Sequence, residues 1–340
     1  MKLSVCLTHY NRPHLLAATL ESLARQTRMP DEVLLWDDCS PNDPTSVAET
    51  YAKRFPKFIY QRNPRNLGMP GNLNAVLAAA SGDLIANLHD ADVFDPTLLQ
   101  KWEEALISRP KAGLVFCGLD ATTDLSARKV VWIHPCAPYS EGRDFFRRHY
   151  VATTSSIIWG TVMVRREVYE KHLPFDSQFR NWADVDMWMR VCGTHDIAYV
   201  PEALIKLDHT PTQVRTFSWQ KFLITHRMHA LNIHRAAATG EELADWLARQ
   251  KKMSRRYYFR HLASRLLRGQ WKSFWEGVKI CREVVSRMFE RDWQLPPSGR
   301  THFELGGNTG EHPVVVGAGP DEPTVNWTKR DSTVPDGGTQ

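Results

Sequence analysis

Long apolar runs are the first thing this 340-residue sequence lacks. None reaches the roughly 18 consecutive apolar residues of a membrane-spanning helix. The six cysteines (Cys6, Cys39, Cys117, Cys136, Cys192, Cys281) form no Cys-x-x-Cys pair, which argues against a zinc site and for reduced thiols in a cytoplasmic setting. The apolar part of MKLSVCLTHYNRP is too short for a signal peptide and reads as a first strand. There is no Walker loop, no Gly-x-Ser-x-Gly elbow and no internal repeat. The GAG at 317–319 has neither the third glycine nor the strand-loop-helix setting of a dinucleotide fingerprint. In a cytoplasmic chain the Asn326-Trp327-Thr328 sequon carries no meaning.

What is present suits a globular protein: 42% hydrophobic and 24% charged residues, enough for a packed core and a solvated surface. The formal charge of +5 is unevenly placed. Residues 211–300 carry more than twice as many Lys and Arg as Asp and Glu, so the remainder is net negative. Such a segment marks nucleic acid, anionic lipid or an acidic partner, or is simply a solvated helical face.

The first half alternates strand and helix. LSVCLT (3–8), EVLLWDD (32–38), FIYQR (58–62), DLIANL (83–88) and AGLVFCG (112–118) read as strands, with helices over 14–26, 45–54, 72–80 and 96–108. This alternation predicts an α/β fold with a mostly parallel sheet flanked by helices. Ligands of such sheets bind beyond the carboxyl ends of the strands, and four polar clusters fall there: residues 8–12, 37–40, 62–66 and 89–92. After Asp120 the pattern loosens, with strands expected at 130–134 and 156–166 and helices at 167–172 and 181–193. We divide the chain into a domain over 1–215, a basic helical extension over 216–295 and an aperiodic Gly/Pro-rich tail over 296–340 that reads as disordered.

Two carboxylate pairs stand out. Asp90 and Asp92 follow a buried strand, where two carboxylates can hold a divalent cation that bridges phosphates; an Asx turn before the helix after Pro96 is the competing reading. Asp184 and Asp186 open a helix, where one carboxylate serves as a general base or both complement the helix dipole. His209, after VPEALIKLD, is a metal ligand, a phosphate contact or a plain loop residue.

Taken in order, the stretches LSVCLTHYNRP, EVLLWDDCSPND, NPRNLGMPGNLNAVLAAASGDLIANLHDADVFDP, SSIIWGTVMVRREVYE, FDSQFRNWADVDMWMRV and VPEALIKLDH resemble the family 2 glycosyltransferases. The resemblance covers about residues 1–212 and implies the GT-A fold and an inverting, nucleotide-sugar-dependent reaction. It implies that Thr8 and Tyr10 lie by the nucleotide base, that Asp38 bonds the ring, and that Asp90 contacts the ribose. Arg12, Asn66 and Asn74 join this donor site. Asp92 and His209 would ligate Mn²⁺ or Mg²⁺ at the diphosphate, and Asp184 would be the catalytic base. One departure is visible: His89 occupies the slot of the first aspartate in the usual Asp-x-Asp-Asp, and a gapless register puts Ala91 against one metal ligand.

The expected partners are a nucleotide-sugar donor (UDP-, dTDP- or GDP-type) and a glycan or lipid-linked acceptor of cell-surface polysaccharide synthesis. The basic aromatic helices of 216–295 either touch the inner membrane surface or pack on the catalytic domain; no nucleic acid partner is expected. Two other readings stay open: a metal-dependent phosphohydrolase using His89-Asp90, and a lipid- or RNA-binding module.

Overall fold

The computed structural model describes residues 1–121, 131–153, 155–207, 217–280 and 287–295. His209 and the tail over 296–340 lie outside the described residues.

The chain opens with β1 (Leu3–His9), α1 (Pro13–Leu23), β2 (Glu32–Asp37), α2 (Thr45–Ala52), β3 (Phe58–Arg62), α3 (Gly68–Ala79) and β4 (Leu84–His89). The strands were legible because parallel strands covered on both faces read as unbroken apolar runs; in β1 only Thr8 is not fully buried. Helix α3 starts four residues before the expected 72, since Pro70 is compatible with a first helical turn.

Next come β5 (Asp92–Phe94), α4 (Leu98–Ile107), β6 (Ala112–Asp120), β7 (Val131–Trp132), β8 (Tyr139–Ser140), α5 (Gly142–His149), β9 (Val162–Arg165) and α6 (Arg166–His172). A 3-10 turn (Ser177–Trp182) leads into α7 (Ala183–Cys192) and the long β10 (Asp196–Leu207). The strand expected over 156–166 is confined to β9. Ahead of it the carbonyls of Trp159 and Gly160 accept bonds from the side chains of Trp188 and Asn87, leaving no ladder there.

The sheet order is β3-β2-β1-β4-β9-β6-β10-β5. The expected parallel pairing holds for β3-β2-β1-β4 and for β6 with β10, while β9 runs antiparallel between these blocks and β5 antiparallel on β10. Order reverses at β1, whose two neighbours are β2 and β4, so the crevice of this sheet opens at the carboxyl ends of β1 and β4. Alternation along β1 divides the core: Cys6 faces α3 and α7, whereas Val5 and Leu7 face α1 and α4.

Helix α8 (Trp219–Ala236) is followed by α9 (Gly240–Leu267) and α10 (Trp271–Ile280). Ile224, Met228 and Ile233 of α8 belong to the core cluster shared with α3 and α7, while Trp219, Phe222 and Ala230 pack with Tyr258 of α9 and Ile280 of α10. No described helix is long and apolar enough to cross a membrane.

The amino edge of the sheet is tied by a single carboxylate. Glu32 is buried and accepts bonds from Ser4 Oγ at 2.6 Å, Lys57 Nζ at 2.8 Å and Ser81 N at 2.7 Å. Burial pushes its pKa up, but these donors outweigh it and hold the carboxyl down at about 2. The unfolded chain therefore takes up the proton first on acidification, and the stability Glu32 provides is lost as pH falls from about 4.5 to about 2. Glu32→Gln is expected to cost about 2 kcal/mol at pH 7, with the difference from wild type vanishing near pH 2 in urea unfolding series.

Candidate active site

The crevice at the carboxyl ends of β1 and β4 contains a cavity of about 280 Å³. Thr8 of β1, Met69 and Leu73 of α3, Asn87 and His89 of β4, and Gly160, Asn181 and Asp184 line it. Of the residues expected at the site, Thr8 and Asp184 meet in this cavity.

Asp90 lies just behind the wall, fully buried. Its Oδ1 is 2.5 Å from Arg12 Nη2 and its Oδ2 2.6 Å from His9 Nδ1, and the Tyr10 N–H donates to Oδ2 at 3.3 Å. The charged partners of Asp90 come from the end of the neighbouring strand β1. Asp90 thereby fixes the β1 loop, and Arg12, partly exposed, is held at the rim; Tyr10 is exposed beside it.

The other clusters are joined to this one. The Asn11 N–H donates to Ser40 Oγ at 2.8 Å, Ser40 bonds Asp37, and Arg62 Nε stands 3.6 Å from Asp37 Oδ2. Asp38 Oδ1 accepts from Asn63 Nδ2 at 3.1 Å and Leu67 N at 2.7 Å; burial pushes its carboxyl above the usual range against these bonds. Asn11 and Cys39 adopt positive φ of 54° and 60°, and Arg180, ahead of α7, 50°. Strained backbone of this kind clusters at functional sites.

Asn66 is exposed and caps Gly68 N at 2.9 Å. Asn74 is outside the cavity lining: its amide brackets the backbone of Phe175, accepting from N at 2.8 Å and donating to O at 3.1 Å.

The second carboxylate pair separates cleanly. Asp186 is buried and faces away from the cavity, bonded by Arg190 Nε at 2.9 Å and Asn232 Nδ2 at 2.7 Å, which fastens α7 to α8. Asp184 stands on the cavity wall with Oδ1 accepting the Val185 N–H at 2.7 Å. Burial pushes its pKa up to about 6, and no Lys, Arg or His among the described residues ion-pairs with it. Gly160 faces it. A Cβ there would stand 3.2 Å from Asp184 Oδ2 and 2.4 Å from His89 Nε2, so carboxylate and imidazole address the same small volume. Asn87 holds Gly160 in place, donating to its carbonyl at 2.6 Å. Asn87, Gly160 and Asn181 carried no sequence signal, whereas His89 was visible as the departure from the aspartate motif.

The expected Mn²⁺ or Mg²⁺ site is not assembled by the described residues. Asp92 is buried at the start of β5, paired with Leu207, and its Oδ2 accepts from Thr161 Oγ1 at 3.3 Å. Ala91 is buried between the two aspartates, and Asp90 is closed off by Arg12 and His9. Among the described residues no group of three or more His, Cys, Asp or Glu converges as a metal shell; His209 lies outside them. The same geometry leaves the phosphohydrolase reading unsupported, since Asp90 turns to Arg12 and His9.

Comparison with known proteins agrees with this architecture. The sequence model described as Glycosyl transferase family 2 matches residues 4–173. An uncharacterized glycosyltransferase of Nostoc sp. is 25% identical over 258 residues, 70% of this chain and 68% of that protein. The O-antigen biosynthesis protein RfbC of Myxococcus xanthus is 30% identical over 211 residues, 56% of this chain and 16% of that protein. Among solved structures, S. aureus TarS 1-349 in complex with UDP superposes with a TM-score of 0.59 at 20% identity, covering 76% of this chain and 74% of that one; TarS has also been solved with UDP-GlcNAc. With the family matched across half of its length and the sheet crevice in place, the chain belongs to glycosyl transferase family 2 and is a glycosyltransferase of the GT-A fold.

Proposed function

We propose that this cleft transfers a sugar from a nucleoside-diphosphate sugar to an acceptor hydroxyl, with inversion at the anomeric carbon. The observation that carries the reading is Asp184: a carboxylate on the cavity wall, without a cationic partner among the described residues, whose pKa of about 6 suits a general base near neutral pH. TarS binding UDP and UDP-GlcNAc in the same fold supports a nucleotide-sugar donor. The O-antigen role in RfbC's name supports a glycan or lipid-linked acceptor of cell-surface polysaccharide synthesis.

The nucleotide lies along the ends of β1 and β2, near Thr8, Tyr10 and Asp38. Its diphosphate meets Arg12, whose guanidinium counters the charge that grows on the leaving group. Asp184 takes the proton of the acceptor hydroxyl, and the oxygen attacks the anomeric carbon opposite the diphosphate. The glycosidic C–O bond forms as the C–O bond to phosphate breaks, and the nucleoside diphosphate departs with the electron pair. His89 Nε2, facing the same volume as Asp184, hydrogen-bonds the sugar or the departing phosphate.

Asp184→Asn is expected to lower kcat about a thousandfold with nucleotide affinity unchanged, as read by turnover and calorimetry; wild-type turnover would overturn the assignment. Because burial raises the folded-state pKa of Asp184, its ionisation destabilises the fold as pH rises through about 6. The same variant therefore gains about 1 kcal/mol or more of stability at pH 7. In the wild type kcat rises with pH to a plateau above about pH 6, since only the ionised carboxylate accepts the proton.

Gly160→Ala places a methyl 2.4 Å from His89 Nε2, a ring tip that can swing aside. We expect a Tm within about 3 °C of wild type and turnover down at least about tenfold from the displaced imidazole. For Asp92→Asn, its packing against Thr161 predicts a lowered Tm with an unchanged Mn²⁺ dependence of UDP binding. A selective loss of Mn²⁺-dependent binding would restore Asp92 as a metal ligand.

A further inference from the structure

The end of the helical extension farthest along the chain from the catalytic core carries an unusual surface. Between residues 246 and 280 Glu276 is the only side-chain carboxylate, against a long series of Lys and Arg. Among the described residues Arg255, Arg256, Arg260, Arg265, Arg268 and Lys272 form no ion pair. Three of these guanidinium groups, from Arg260, Arg265 and Arg268, line a groove of about 570 Å³ with His261 and Phe217. The groove is built: Phe217 stacks on the His261 ring at 3.9 Å, and Arg265 Cζ lies 4.7 Å from the Phe217 ring centre.

The adjoining turn is as apolar as the groove is cationic. Leu267, which ends α9, is 86% exposed, and Trp271 and Trp275, one helical turn apart on α10, are 58% and 63% exposed. The opposite side of α10 is the packed one, with Gly277 against Trp219 and Ile280 in the third core cluster. The two indoles therefore sit on the outer face of a helix that already has its core contact, and packing among the described residues does not account for them. Exposed tryptophans grouped in this way mark an interaction surface.

We infer that the α9–α10 elbow docks on an anionic phospholipid bilayer, with Trp271, Trp275 and Leu267 entering the interface and the Arg260–Arg265–Arg268 groove receiving lipid phosphates. Charge complementarity selects this occupant: unpaired guanidinium groups match phosphate oxygens bidentately, and indoles favour the headgroup level of a bilayer. Contact is peripheral, for no described helix is long and apolar enough to cross. The inference stands apart from sugar transfer, because binding is read without donor or acceptor.

The test is co-sedimentation of the full chain with phosphatidylcholine vesicles and with phosphatidylcholine–phosphatidylglycerol vesicles, at low and high salt. Wild type is expected to partition onto the mixed vesicles only, and less so at high salt. Arg260→Gln/Arg268→Gln/Lys272→Gln, all at exposed positions, is expected to lower the partition coefficient at least about tenfold. Trp271→Ser/Trp275→Ser is expected to weaken binding even at low salt. Circular dichroism and UDP affinity are expected to match wild type for both variants, as controls for folding. Equal binding to neutral vesicles, or binding to neither kind, would overturn the proposal. So would retention of an RNA oligonucleotide, stabilisation by inorganic phosphate, or dimerisation abolished by the tryptophan variant, each without vesicle binding.

Discussion

The carboxylate of Asp90 holds the candidate active site together. It is buried at the end of β4 and takes Arg12 and His9 from the end of β1. An isolated carboxylate in that position would be costly to desolvate, and removing one partner would leave the other charge uncompensated. With both present, the two central strands are locked at the edge where the crevice opens. From there a continuous set of bonds runs through Asn11 and Ser40 to Asp37 and Arg62, so four separate loops behave as one rim. Thr8 and His89, next to the tied residues on the same two strands, inherit their positions from this anchor.

The chain uses one functional group for opposite purposes according to what surrounds it. Glu32, Asp90 and Asp186 are buried carboxylates supplied with donors, and each fastens elements distant in sequence. Asp184 is given one local backbone bond and a cavity instead. Donors lower a carboxyl's proton affinity and unrelieved burial raises it, so Glu32 is held at about 2 and Asp184 at about 6. If Asp184 moves a proton as proposed, the cost of its burial is the usual trade of stability for function at a reacting group.

Much of this was legible in the sequence. Apolar strand runs bounded by polar clusters gave the order of strands and helices, and the strand ends proved to converge. Asp184 was separable as a candidate base, although its twin Asp186 became structural only when Asn232 of α8 was seen beside it. What was hidden depends on contacts between remote segments. The partners of Asp90 lie 78 and 81 residues away, on another strand's end. β10 was obscured because register shifts between Val200 and Ala203, around Pro201 and Glu202, break its alternation. β5 has three residues and exists only as a partner of β10. Asn74 resembled a ligand contact until the backbone of Phe175 claimed both ends of its amide. Gly160 shows the limit most sharply, since its importance is the space it leaves between two side chains.

The helical extension shows how one element can serve two bodies of packing. One face of α8 fills the catalytic core through Ile224, Met228 and Ile233, and Asn232 steadies α7 from behind Asp186. Its other face, through Trp219 and Phe222, gathers α9 and α10 into a separate cluster. Packing on the domain and meeting an outside surface are therefore not exclusive for this segment: α8 and the start of α9, through Trp246, do the first, while Trp271 and Trp275 of α10 stay exposed. Substitutions at the exposed elbow remove no core contact, while those on α8 reach Asp186 and the helix that presents Asp184. Position on the extension, more than residue type, decides whether a change there alters the exposed elbow or the packing behind α7.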